Sequence, residues 1–106
     1  MISPLKATAM PTVQSRAEKI RLVVLDVDGV LTDGAINISG NGELYKRFNV
    51  RDGLGIKMLQ KAGIEIAIIT GRTSDIVAER AKELAITRVA QGQRFKTKAF
   101  EALLQE

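Results

Sequence analysis

Apolar and polar positions alternate along this chain in blocks of two distinct periods. Ile20 to Asp26, opened by Lys19 and Arg21, forms a nearly continuous apolar run, the pattern of a strand buried on both faces. Ile36 and Ile38 then alternate with Asn37. Ser39-Gly40-Asn41-Gly42 supplies turn chemistry and Glu43 to Phe48 resumes extended character, so a β-hairpin is inserted just after the first strand. Asp52 is expected to cap a helix running to about Lys61, with Leu54, Met58 and Leu59 among its apolar positions and Ala62-Gly63 as its stop. Ile64 to Thr70, mostly β-branched or small, reads as a second buried strand. Thr73 or Ser74 starts the next helix, which runs through Ile76, Val77, Ala81 and Leu84. Ile86 to Ala90 reads as a short third strand, and a last helix from about Lys96 carries Phe100, Leu103 and Leu104 on one side.

The order β, hairpin, α, β, α, β, α predicts an α/β fold with a parallel sheet and right-handed crossovers. Ligands in such sheets bind at the C-terminal ends of the strands, where the polar motifs of this chain fall. Residues 1–18 hold both prolines, Pro4 and Pro11, and no sustained period, and are expected to be a flexible leader. Residues 19–106 are then the folded core.

Composition narrows the chemistry. A length of 106 residues allows one small domain with a modest core, and an apolar fraction of 45% with 26% charged residues is that of an ordinary globular protein. Cysteine and histidine are both absent, which leaves carboxylates, lysines and hydroxyls to carry any reaction. The net charge of +4 is scattered rather than clustered and aromatics are few, so an anionic small molecule suits the surplus better than nucleic acid. No apolar stretch approaches transmembrane length and no secretory h-region opens the chain, so no membrane partner and a cytoplasmic location are expected.

The chemistry concentrates in Asp26-Val27-Asp28-Gly29-Val30-Leu31-Thr32-Asp33-Gly34. Side chains at i and i+2 of a strand share a face, so two carboxylates meet at a strand tip and call for a hard cation such as Mg2+. A carboxylate there can attack phosphorus, and a second one two residues on can protonate a leaving alkoxide and then activate water. Thr70-Gly71-Arg72 ends the second strand in the same way, offering a hydroxyl, a free N–H and a guanidinium to phosphoryl oxygens. Lys96 or Lys98, after Gln91-Gly92-Gln93, can neutralise nucleophile and phosphate. Arg51 and Asp52, after the hairpin, are further candidates to face the pocket.

Together these segments resemble the haloacid dehalogenase (HAD) superfamily of phosphotransferases. The likeness is greatest to its capless sugar-acid branch, the 3-deoxy-D-manno-octulosonate 8-phosphate (KDO 8-phosphate) phosphatase family. It is carried by Asp26 to Gly34, the hairpin, Phe48-Asn-Val-Arg-Asp-Gly-Leu-Gly-Ile56, Ile68-Ile-Thr-Gly-Arg72 and Gln91-Gly-Gln with its following lysine. The resemblance implies a Rossmann-like core, with Asp26 as nucleophile and Mg2+ ligand. It implies Asp28 as general acid/base and, through its carbonyl, a second Mg2+ ligand, with Thr70 on the phosphoryl group and Lys96 as the site lysine. It also implies a phosphorylated sugar acid as substrate, a homotetramer built partly through the hairpin, and a product that feeds lipopolysaccharide synthesis. The acidic loop with which the family completes its metal site does not follow Lys96, so the core is expected to be incomplete at the C-terminus and the chain a truncated form. An N-acylneuraminate 9-phosphate phosphatase, the related tail of a sialic-acid activating enzyme, and an inert remnant kept as an assembly module are the competing readings.

Overall fold

A computed structural model describes residues 12–106. Its elements are α1 (Val13–Ala17), β1 (Leu22–Leu25), β2 (Asn37–Ser39), β3 (Gly42–Tyr45), α2 (Val50–Lys61), β4 (Glu65–Ile69), α3 (Asp75–Glu83), β5 (Arg88–Ala90) and α4 (Lys96–Leu104). Residues 1–11 of the expected leader lie outside the described residues. The rest of that stretch holds α1, whose N-cap Thr12 side chain accepts from the Ser15 backbone N–H and which buries no residue.

β1, β4 and β5 form a parallel sheet in the order β1-β4-β5, and β2 pairs with β3 as an antiparallel hairpin. The expected element order therefore stands, with α1 added. The register sets Leu25 beside Ile68 and Ile68 beside Val89, so the three strands end nearly level. Asp26, Thr70 and Gln91 follow those ends, which is what gathers the polar motifs along one rim.

Ile66, Ile68, Ile56, Val77, Ala81, Leu84 and Ile86 form the main core on one sheet face, under α2 and α3. Ala67, Ile69 and Leu103 form a smaller one under α4. β4 is the central strand and is buried from Ile66 onward, as its β-branched run implies. β1 departs from expectation, being half-buried throughout. It pairs only with β4 among the described residues, and as an edge strand it keeps partial exposure on both faces.

Helix starts and faces supply three corrections. Asn49, not Asp52, caps α2: its side chain accepts from the Arg51 N–H at 2.8 Å, and Asp52 lies in the first turn, where its charge suits the helix dipole. Leu54 and Met58 point outward, and the helix buries Gly53 and Ile56 instead. A Cβ at Gly53 would stand 2.7 Å from an Arg80 guanidinium nitrogen and 3.4 Å from a Leu84 methyl, so this face of α2 lies close to α3. In α4, Leu103 is buried while Phe100 stays partly and Leu104 more than half exposed. Ser74 rather than Thr73 starts α3, its hydroxyl accepting from the Val77 N–H.

Ile68, 3% exposed, belongs to the main core. Ile68→Ala is expected to lower the unfolding free energy by about 2–5 kcal/mol, by lost transfer energy plus the cavity left behind. Urea denaturation followed by circular dichroism measures it, and a loss under ~1 kcal/mol would contradict a packed core around β4.

Candidate active site

Asp26 leaves β1 at its C-terminal end, and its own Oδ1 accepts the Val27 N–H at 2.7 Å. The chain then turns tightly, with the Val27 carbonyl accepting the N–H groups of Val30, Leu31 and Thr32. Gly29, at φ +83°, supplies the left-handed residue that this turn requires. The Thr32 hydroxyl accepts from the N–H groups of Gly29 and Gly34, and Thr32 bridges to Phe48, tying the loop to the segment that leaves the hairpin. The motif from Asp26 to Gly34 is therefore a self-supporting loop that aims two carboxylates off one strand end.

Each carboxylate has its own lysine. Lys96 Nζ lies 2.9 Å from Asp26 Oδ2, joining residues 70 apart in sequence. Lys46 Nζ lies 2.6 Å from Asp28 Oδ1. Lys98, the alternative to Lys96, instead sits over the Phe95 ring. Burial opposes ionisation of Asp26, but the hydrogen bonds and charge of Lys96 and the Val27 N–H outweigh it, and its carboxyl is held below the usual range with a smaller contribution from Thr70.

Thr70 is buried at the end of β4, its N–H bonded to the Ala90 carbonyl and its own carbonyl accepting from Gln93. Gly71 and Arg72 follow on the rim, and Arg72 Nε stands 4.0 Å from Asp28 Oδ2 with its side chain half-exposed. Asp26, Asp28, Thr70, Gly71, Arg72 and Lys96 thus fall on one edge of the sheet. Asp52 is separate from that group: it lines a cleft with Phe48, Asn49 and residues 30–33 of the loop, and Arg51 beside it is exposed. Among the described residues, no group of three or more acidic side chains is placed to hold a metal ion.

Two site residues escaped the sequence reading. Lys46, just past β3, and Glu43, within it, pair at 3.0 Å beneath the rim, and the Ser74 hydroxyl donates to Glu43. The only signal was their spacing on a hairpin that also carries alternating apolar residues, which any solvated strand face would share.

The KDO 8-phosphate phosphatase of Salmonella typhimurium is 51% identical over 96 residues, which cover 91% of this chain and 51% of that protein. This chain belongs to the KDO 8-phosphate phosphatase family of the HAD superfamily. Solved family structures agree. The Yersinia pestis phosphatase superposes with a TM-score of 0.83 at 48% identity, covering 88% of this chain and 50% of that one. The Moraxella catarrhalis phosphatase, solved with magnesium, phosphate and KDO, gives 0.80 at 47% identity, covering 85% and 52%. The chain spans about half the length of the curated family members it matches. No protein-family model matches the sequence. The α/β core with its hairpin is thus the family's, and among the described residues no helix is long and apolar enough to cross a membrane.

Glu43 and Lys46 make an internal probe of the pair network. Burial opposes ionisation of Glu43, but Ser74, Lys46 and Arg72 together hold its carboxyl below the ordinary value of 4.5. Lowered in the folded state, Glu43 contributes stability that is present above pH 4.5 and lost as pH falls through its folded value. Urea midpoints between about pH 5 and pH 3 should therefore fall more in the parent than in Glu43→Gln. Equal falls would mean that the folded state does not favour ionised Glu43.

Proposed function

We propose that this chain provides the phosphoryl-transfer site of a phosphatase acting on a sugar-acid phosphate, with KDO 8-phosphate the best-supported substrate. The observation that carries the reading is the ion pair of Asp26 with Lys96 at 2.9 Å, across strand ends that also present Asp28, Thr70 and Arg72. Asp26 forms the new bond to phosphorus as the ester P–O bond breaks, giving an aspartyl-phosphate, and Asp28 supplies the proton that the departing alkoxide takes. Water then attacks the aspartyl-phosphate and gives its proton to Asp28. Inorganic phosphate leaves and the Asp26 carboxylate is restored.

The other residues stabilise charge and place the substrate. Lys96 neutralises Asp26 and the incoming phosphoryl oxygens, the Thr70 hydroxyl and Gly71 N–H donate to those oxygens, and Arg72 reaches the phosphate or the sugar acid. Arg51 and Asp52, beside the loop cleft, are assigned to the sugar-acid end. Mg2+ fits the donors present: the partly exposed Asp26 carboxylate and the Asp28 backbone carbonyl would hold it, with Asp28 Oδ1 already taken by Lys46. Such an ion takes few carboxylates and completes its shell with water and phosphate. When bound it offsets charge on the phosphoryl oxygens. The reading carries with it a cytoplasmic location and a product destined for lipopolysaccharide synthesis.

Phosphate release from KDO 8-phosphate, with and without Mg2+, tests this directly. Release is expected to require Mg2+ and to fall by about 10³-fold or more in Asp26→Asn, whose amide cannot serve as nucleophile. Unchanged release in that variant would refute the mechanism, and no release from the folded parent would favour the inert assembly module.

Assembly is the second part of the proposal. Ile36, Ile38, Leu44 and Tyr45 are each at least half exposed on or beside the hairpin, an apolar patch suited to a homotetramer. Ile38→Asp is expected to shift the mass measured by light scattering towards the monomer. An unchanged mass, or a monomeric parent, would remove the hairpin from assembly.

A further inference from the structure

Lys46 is the most deeply placed charged side chain of the site, with 1% of its surface exposed, against 51% for Lys96. A lysine so buried is costly unless its charge is met, and Lys46 meets two carboxylates, Asp28 at 2.6 Å and Glu43 at 3.0 Å. Burial works against its protonation, yet its partners outweigh that and hold it above the ordinary lysine value.

The contacts continue in an unbroken path. The Ser74 hydroxyl donates to Glu43 Oε1 and also accepts from the Val77 N–H as the cap of α3. Ser74 is itself gripped by the Gln91 side-chain amide, whose Oε1 accepts the Ser74 N–H at 2.8 Å and whose Nε2 donates to the Ser74 carbonyl at 3.1 Å. The path thus runs from the end of β5, through the start of α3, into the hairpin and out to the end of β1. No buried side-chain polar atom among the described residues lacks a partner. Every joint in the path is therefore satisfied, the condition under which a polar network is rigid.

We propose that Lys46 and Glu43 are positioning residues: braced by Ser74 and Gln91, they hold Asp28 by Oδ1 and turn Oδ2, with the half-exposed Arg72 guanidinium 4.0 Å away, toward the leaving group. The hairpin would then be a part of the site's own scaffold as well as an assembly surface. This rests on the phosphatase reading for the role of Asp28, while the clamp itself is a statement about geometry.

Two readouts test it. In crystal structures of Lys46→Met and Glu43→Gln, the Asp28 carboxylate should leave the rotamer seen in the parent. Glu43→Gln keeps a partner for Ser74 and carries the test should Lys46→Met not fold. In single-turnover reactions with enzyme in excess, only the first ester cleavage is followed. There Lys46→Met should slow KDO 8-phosphate by about 10²-fold and p-nitrophenyl phosphate by under about 5-fold, because a nitrophenolate leaves without a donated proton. An unmoved Asp28 in both variants, or equal slowing of the two esters, would overturn the clamp. A parent that cleaves neither ester counts against the phosphatase reading, and the rotamer of Asp28 then decides the clamp alone.

Discussion

Two carboxylates just past the end of β1 each need a countercharge, and that need is the constraint from which the architecture of this site follows. Asp26 follows β1 directly and Asp28 lies in the turn after it, and a partly buried carboxylate is costly without a partner. The chain answers with one ammonium per carboxylate, drawn from opposite directions. Lys96 comes from the start of α4, beyond β5, and Lys46 comes from the far side of the hairpin. Neither lysine is near its partner in sequence, so the charge balance exists only once the sheet and the hairpin are both formed.

This makes the hairpin more than an appendage. Its two short strands have little pairing energy of their own, and a two-stranded ribbon is marginal in water. What holds it against the core is polar: Lys46 to Asp28, Glu43 to Ser74, and the Thr32–Phe48 bridge at its exit. The cation of Arg80 over the Phe48 ring at 5.5 Å adds a contact from α3. A hairpin docked by directional bonds keeps its apolar residues free to face outward, which explains why Ile38 and Leu44 can be exposed while the side chains of Glu43 and Lys46 beside them are not.

The legibility of the sequence divides along the same line. β4 was readable because Ile66 to Thr70 is buried on both faces and an apolar run reports that directly. The Asp-x-Asp tip and Thr70-Gly71-Arg72 were readable because their chemistry is local, and the strand register then sets them on one rim. The Asn49 cap was missed because Asn49 and Asp52 both have capping side chains, and only the backbone separates them, extended at Asn49 and already helical at Asp52. The outward faces of Leu54 and Met58 were not readable, since Gly53 carries no hydrophobic signal and yet marks the buried side of α2. Lys46 and Glu43 were invisible for a deeper reason. A charged residue on a three- or four-residue strand looks solvated until a distant partner is known, and Asp28 lies 18 positions away.

The two lysines differ in a way that matches what the proposed mechanism asks of each carboxylate. A nucleophile has to accept a phosphoryl group and release it, so its countercharge must follow a changing charge. Lys96, half-exposed on a helix start and bonded to Asp26 alone among the described side chains, is free to do so. A proton donor and acceptor has to meet the same oxygen position twice in a cycle, and a displacement of 1 Å there is felt in the rate. Lys46, buried and bonded on two sides, is suited to hold its partner in place. The two carboxylates are thus paired by the same residue type, and the distinction between the pairs lies in burial, half-exposed at Asp26 and buried at Asp28.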